Sequence, residues 1–221
     1  MSSPAENAQL LDAGHYRLMP WKNGLGTTHE IAVYPPGAKL AAGDFLWRVS
    51  LADVVSDCDF SLFPGFDRTI ALVSGKGMEL NFDQTSANAR LVVPGASRRF
   101  SGEWLTHCRL LDGPVRDFNV MTARGKAEHR CELVTREVVE FAWEPLVETL
   151  LCYCLRGTVV IKMPGSGEWH LASGQSLCLP MHATGADRAS LMLVSHARNS
   201  LAIMVRLRHL WGDRDLDESV A

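Results

Sequence analysis

Glycine and proline punctuate this chain so often that no long helix can be drawn through it. Its 18 glycines and 10 prolines recur in turn-forming pairs such as Asn23-Gly24, Pro36-Gly37, Pro64-Gly65, Pro94-Gly95 and Gly113-Pro114, where proline presets φ and glycine supplies a positive one. Between these pairs lie short apolar runs spaced at roughly 8–12 residues, a spacing that predicts an all-β sandwich or barrel. The clearest strand is Trp47–Leu51: Trp47, Val49 and Leu51 share one face, and Arg48 and Ser50 share the other. Upstream, Thr27, His29, Ile31 and Val33 are expected on one face of a strand, with Thr28, Glu30 and Ala32 on its reverse. An arginine on so regular a strand has two explanations. Either it lies on the solvated face of an edge strand, or the interior of a small barrel carries a few polar groups aimed at a ligand.

With 221 residues the chain can build one large or two compact domains. A net charge of -3 provides no basic field for nucleic acid or anionic lipid, and no run of 18 apolar residues predicts a membrane span. The polar start, Met1–Gln9, has neither the charged nor the apolar segment of a signal peptide, so a cytoplasmic protein with reduced thiols is expected. Residues 1–13 read as a frayed leader, and the acidic stretch from Gly212 as a loose tail. The six cysteines form no Cys-x-x-Cys. They read as small buried hydrophobes, with a metal or redox pair at Cys152 and Cys154 as the alternative.

The charged stretch Arg124–Arg130 marks a boundary, giving an N-terminal domain over 14–124 and a C-terminal one over 125–212. A repeat supports that division. Gly75 before Met78–Leu80 corresponds to Gly157 before Val159–Ile161 at an offset of 82, and Leu91–Gly95 corresponds to Leu171–Gly174 at offsets of 80 and 79. Taken alone, Arg156–Ile161 followed by Leu171–Pro180 resembles the cupin pattern: strand, glycine turn, strand, then a second glycine turn before an apolar strand ending in proline. The resemblance implies two tandem jelly-roll barrels with a ligand held in a barrel mouth.

No two of the eight histidines are spaced i, i+2 and none precedes a glutamate at the distance that metal-binding cupins use, so no metal and no other cofactor is expected. Cations and amides cluster instead near strand starts: Lys22, Asn23, Arg48, Arg68 and Asn119. Arginine grips a carboxylate with a planar fork, asparagine orients it, and Trp21, Phe60 or Phe63 can stack on it. The competing reading has these groups satisfying one another along a loop-rich rim. Asp67, beside Arg68, is expected to orient an arginine. Glu30, Asp59, Asp67 and His29 are candidates for acid or base.

Three segments carry a wider resemblance: Trp21-Lys22-Asn23-Gly24-x-Gly26-x-Thr28-x-Glu30-Ile31, Arg48-Val49-Ser50-x-Ala52, and Phe60-Ser61-x-Phe63-Pro64-Gly65-x-Asp67-Arg68. With Gly113-Pro114-Val115-x-Asp117-x-Asn119-x-Met121, the chain resembles the HutD/Ves family of bicupins over most of residues 17–210. It departs at Leu25, where the family often has glycine. The resemblance implies a bicupin without the metal triad, acting in bacterial histidine utilisation as a modulator rather than a pathway enzyme. It implies a carboxylate ligand from that pathway, such as urocanate or N-formylglutamate. It also adds Thr28, Glu30, Ser50, Ser61 and Met121 to the ligand site. The second half then serves as scaffold and as the surface of a possible homodimer. The alternative is a metal-independent isomerase or hydrolase working in the same pocket.

Overall fold

A computed structural model describes residues 8–40, 43–85, 88–135, 138–141, 147–163, 167–180, 191–195 and 199–210. The start of the chain through residue 7, the tail from Gly212, the turn at Pro164-Gly165, and both His182 and His196 lie outside the described residues.

Among the described residues every regular element is a β-strand apart from isolated turns, and the strands form four antiparallel sheets. Among them no helix is long and apolar enough to cross a membrane. A six-stranded sheet runs in the order Arg17–Pro20, Gly26–Tyr34, Trp47–Val54, Val115–Ala123, Phe66–Ser74, Ser97–Ser101, and a four-stranded sheet built around Met78–Phe82 and Thr106–Leu110 faces it. After a turn at 124–126, the chain builds a five-stranded sheet around Thr149–Arg156 and Leu201–His209 and a further four-stranded sheet around Thr158–Met163.

Period-two alternation decides which core each residue joins. On the six-stranded sheet Val49, Leu51, Phe118 and Val120 pack against Leu151, Tyr153, Ile203 and Val205 of the five-stranded sheet, so the two large sheets lie back to back. Phe118 stacks on Tyr153 with ring centroids 5.4 Å apart. The intervening residues point the other way. Ile70 and Leu72 meet Met78, Leu80 and Cys108 inside the first half, while Cys152 and Cys154 meet Val159, Ile161 and Met204 inside the second. All six thiols are free and none is exposed. Burial raises the pKa of each above that of an ordinary cysteine, which suits a packing role.

Three local expectations change. Gln9–Leu11 is a strand rather than frayed leader: it pairs with Ser176–Cys178 at the edge of the five-stranded sheet, where Leu11 covers the core between the large sheets. The strand Gly26–Tyr34 has a register irregularity between Glu30 and Ala32. The extra residue reverses the alternation, so Ala32 joins Val49 in the core between the sheets and Val33 joins Met121 and Phe66 on the inner side. The charged break over Arg124–Arg130 shrinks to the turn, because His129 continues the next strand. Its ring is buried, with Nε2 2.8 Å from Thr69 Oγ1 and Nδ1 2.8 Å from Thr122 Oγ1.

Candidate functional site

The inner face of the six-stranded sheet is where the polar residues of the first half collect. Register sets them in rows. Arg48, Met121 and Arg68 lie side by side on three neighbouring strands; the next row is Ser50, Asn119 and Ile70; the third is Ala52, Asp117 and Leu72. The strand Gly26–Tyr34 adds Glu30 beside Ser50 and Thr28 beside Ala52. The Trp21–Gly24 turn and the Asp59–Phe63 loop close over these rows and leave a cavity of about 500 Å³.

Both covering segments are fixed by close backbone approaches. A side chain on Gly26 would lie 2.8 Å from the Trp21 ring, and the Trp21 indole N–H donates to Thr28 Oγ1 at 2.8 Å. A side chain on Gly102 would collide with the carbonyl oxygen of Phe63, whose N–H donates to the Gly102 carbonyl at 2.8 Å. Leu25, the departure from the family pattern, packs half-buried against the core of the first half, and the turn still closes with the Gly24 N–H on the Trp21 carbonyl at 3.1 Å.

Arg48 is 3% exposed. Its Nε–H donates to Glu30 Oε2 at 2.6 Å and its Nη1 to Ser50 Oγ at 3.4 Å, while Nη2 is buried without a partner. The other Glu30 oxygen accepts from Arg17 at 2.8 Å. Arg68 lies over the rings of Phe60, Phe63 and Phe100, at 5.6, 5.2 and 5.2 Å from their centroids. Its Nη1 donates to the Ser61 carbonyl at 3.3 Å, and its Nε is buried and unpartnered. Burial pulls the pKa of Arg68 down to about 10; Asp117 opposes that shift and Arg48 adds to it. Asn119 Oδ1 is also buried without a partner.

Of the residues expected at a ligand site, Trp21, Lys22, Asn23, Thr28, Arg48, Ser50, Phe60, Ser61, Phe63, Arg68 and Asn119 line this cavity. Two do not. Glu30 sits behind Arg48 and positions it. Met121 is wholly buried beneath the arginines, among Phe45, Phe66 and Ala123. His29 leaves the site altogether: it is on the reverse face of its strand, with Nε2 2.9 Å from an Asp53 carboxylate that Arg116 also holds at 2.6 and 2.8 Å. Asp67 orients arginines, but Arg99 at 3.2 Å and Arg124 at 3.0 Å rather than Arg68 or Arg48. Asp59 is at the mouth, paired with His107 at 2.7 Å.

Asp117 is the residue that sequence reasoning left out of the site. It is 2% exposed, lines the cavity, and has no hydrogen-bond partner among the described residues. Its signal was present: Asp117 and Asn119 are spaced i, i+2, so any strand that turns Asn119 inward turns Asp117 inward too. Burial drives its pKa up to about 7, with Arg68 opposing and Asp53 reinforcing. The sign of the consequence is fixed. The folded protein keeps this proton up to about pH 7, whereas the unfolded chain releases it near the ordinary aspartate value of about 4, so stability through this group falls as pH rises across that window. His129 works in the opposite sense. Burial lowers its pKa to about 4, and stability through it is lost as pH falls from about 6.5. In thermal denaturation, the Tm advantage of Asp117→Asn over the parent is expected to grow between about pH 4.5 and 7.5. A constant difference would mean that Asp117 titrates as an exposed carboxyl does.

Among the described residues no histidine, cysteine or glutamate lines the cavity, and no group of three or more His, Cys, Asp or Glu is placed to hold a metal. The available chemistry is therefore a two-arginine anion cradle with aromatic walls and one buried acid.

The sequence model of the HutD family matches residues 13–199. A 21.2 kDa protein from Pseudomonas putida, described as encoded in the hutC 3′ region, is 43% identical over 115 residues, which is 52% of this chain and 58% of that protein. Protein Ves of Escherichia fergusonii is 33% identical over 70% of this chain and 73% of its own length. The solved structure of HutD from Pseudomonas fluorescens SBW25, in a formate condition, superposes with a TM-score of 0.74 at 27% identity, covering 91% of this chain and 98% of that one. Oxalate decarboxylase from Lactobacillus farciminis, 7% identical with a TM-score of 0.56 over 90% of this chain and 85% of that one, shares the cupin-type β fold alone.

Proposed function

The chain belongs to the HutD family, and on that premise we propose that it is a non-catalytic small-molecule-binding protein whose cavity takes a small carboxylate and which thereby modulates bacterial histidine utilisation. The reading rests on one observation: Arg48 and Arg68 both line the cavity, both are buried, and each keeps a guanidinium N–H without a partner among the described residues. A buried charged donor left unmatched is costly, and a carboxylate is an anion whose geometry fits a guanidinium fork. Two charge-assisted hydrogen bonds of about 1.5–3 kcal/mol each, with aromatic contact to Phe60 and Phe63, are consistent with an affinity on the order of micromolar. The hutC-region setting of the Pseudomonas putida relative supports the link to histidine utilisation, and the carboxylate we propose as ligand is urocanate or N-formylglutamate. In this reading the protein is cytoplasmic, metal-free and built as two tandem cupin barrels, with a homodimer as its assembly.

Asp117 favours a second reading. A buried acid titrating near neutrality within reach of the Arg68 charge would suit a metal-independent isomerase or hydrolase, with Asp117 in the role that His29, turned away, cannot fill. Turnover separates the two: a binder returns the carboxylate unchanged.

The test is a thermal-shift screen of the chelator-treated protein against small carboxylates, including urocanate and N-formylglutamate. A ligand at about 100 times its Kd stabilises by about 2.7 kcal/mol, which at about 2–4 °C per kcal/mol is a shift of roughly 5–10 °C. Arg68→Met should abolish the shift while keeping the fold, because the neighbouring Asp117 already holds its proton to about 7 and can stay neutral. No shift with any small carboxylate would overturn the reading.

A further inference from the structure

The cavity contains acceptors as well as donors, and most of its polar groups are already occupied. Thr28 Oγ1 accepts from Trp21, Ser50 Oγ from Arg48, and Asn23 Oδ1 from the Leu25 N–H, while Asp59 is held by His107. Two buried side chains remain, on consecutive inward positions of one strand: Asn119, whose Oδ1 has no partner among the described residues, and Asp117, whose carboxyl makes no hydrogen bond among them. A carboxylate bound at the arginines would leave both unmatched. Resting on the carboxylate reading above, we propose that the cavity selects small carboxylic acids that also carry an uncharged N–H donor on a short stem, with Asp117 and Asn119 accepting from that N–H.

The rows of the sheet set the geometry. Inward positions along a strand are about 7 Å apart, so Asn119 lies one row from the arginines and Asp117 two. A ligand anchored by its carboxylate at the first row extends across the other two. The N–H is uncharged because Arg48 and Arg68 already flank the path, and a cation between them would be repelled. The charged and titratable groups around Asp117 are Arg68 on one neighbouring strand, Asp53 on the other, and the thiols of Cys58 and Cys108 from the facing sheet. Burial keeps both thiols protonated at neutral pH, with Cys58 raised to about 11. Asp117 is thus the acceptor whose charge changes near neutrality, where its pKa of about 7 lies.

Two probes of matched size test this: 3-(pyrrol-2-yl)propionate, whose ring donates an N–H, and 3-(furan-2-yl)propionate, whose ring cannot donate. In calorimetric titration of the full chain at about pH 7.5, the pyrrole acid is expected to bind about tenfold or more tightly than the furan acid. In Asp117→Asn the pyrrole acid should lose affinity and the furan acid gain it, since a negative charge near the arginines is gone. A readout on the unaltered chain guards against a variant that fails to fold: the pyrrole preference should shrink as pH is lowered through about 7, where Asp117 takes up its proton. Equal binding of the two probes would overturn the N–H proposal while leaving the carboxylate reading standing. A preference that survives Asp117→Asn and is flat with pH would also overturn it. Binding of neither probe would sink both.

Discussion

Replacing Glu30 with alanine is expected to destabilise the protein by about 3–5 kcal/mol, which for a chain of this size lowers Tm by roughly 6–20 °C. Glu30 and Arg48 are 6% and 3% exposed and joined at 2.6 Å. With the carboxylate gone, Arg48 is a buried cation with one long contact to Ser50; Arg17, the other partner of Glu30, is half exposed and can turn to water. The cost is the desolvation of Arg48 left uncompensated rather than the strength of the pair, and that distinction can be tested. Glu30→Leu combined with Arg48→Met removes both charges at similar volume and should recover most of the loss in urea unfolding. A loss below about 1 kcal/mol in Glu30→Ala would mean that the pair is screened as surface pairs are. Arg48→Ala is costly for a related reason, since it leaves the buried Glu30 with only the half-exposed Arg17 as partner, so the fold-neutral probe of the cavity is Arg68→Met.

Phe118→Ala should cost about 3–5 kcal/mol and leave the cavity in place. Phe118 is wholly buried between the two large sheets and stacks on Tyr153. Its strand neighbours Asp117 and Asn119 point to the opposite side, so truncation opens a void behind the site rather than in it. The measurement is a urea titration with and without a bound carboxylate. A lowered midpoint, with a ligand-induced shift like that of the parent, is the expected pair of results. Loss of ligand binding together with stability would mean that packing between the sheets sets the spacing of the arginine rows.

Much of this site could be read from the chain because strand alternation is a local property. Once Trp47–Leu51 is a strand with Val49 and Leu51 packed on one side, Arg48 and Ser50 must share the other. The readings that failed depended on register. Glu30 and His29 cannot both serve one pocket as acid or base, because adjacent residues on a strand face opposite ways and His29 pairs with Asp53 on the reverse face. Val33 was placed on the wrong face because one irregularity between Glu30 and Ala32 reverses everything after it. Asp67 does orient arginines, and strand pairing decides which: Arg99 and Arg124, 32 and 57 positions away.

By itself the sequence determined the class of fold, through turn residues at strand spacing, and the face each residue takes within a strand, through the pleat. It also determined the family, through the Trp-Lys-Asn-Gly and Phe-Pro-Gly-x-Asp-Arg segments. Tertiary structure decided which strands lie side by side, and with that which charges meet. Arg48 and Arg68 are neighbours across Met121, Glu30 holds Arg48 from behind, and Asp117 is buried with no hydrogen bond among the described residues. Pairing between strands is fixed by long-range packing of whole sheets, and no run of a few residues encodes it.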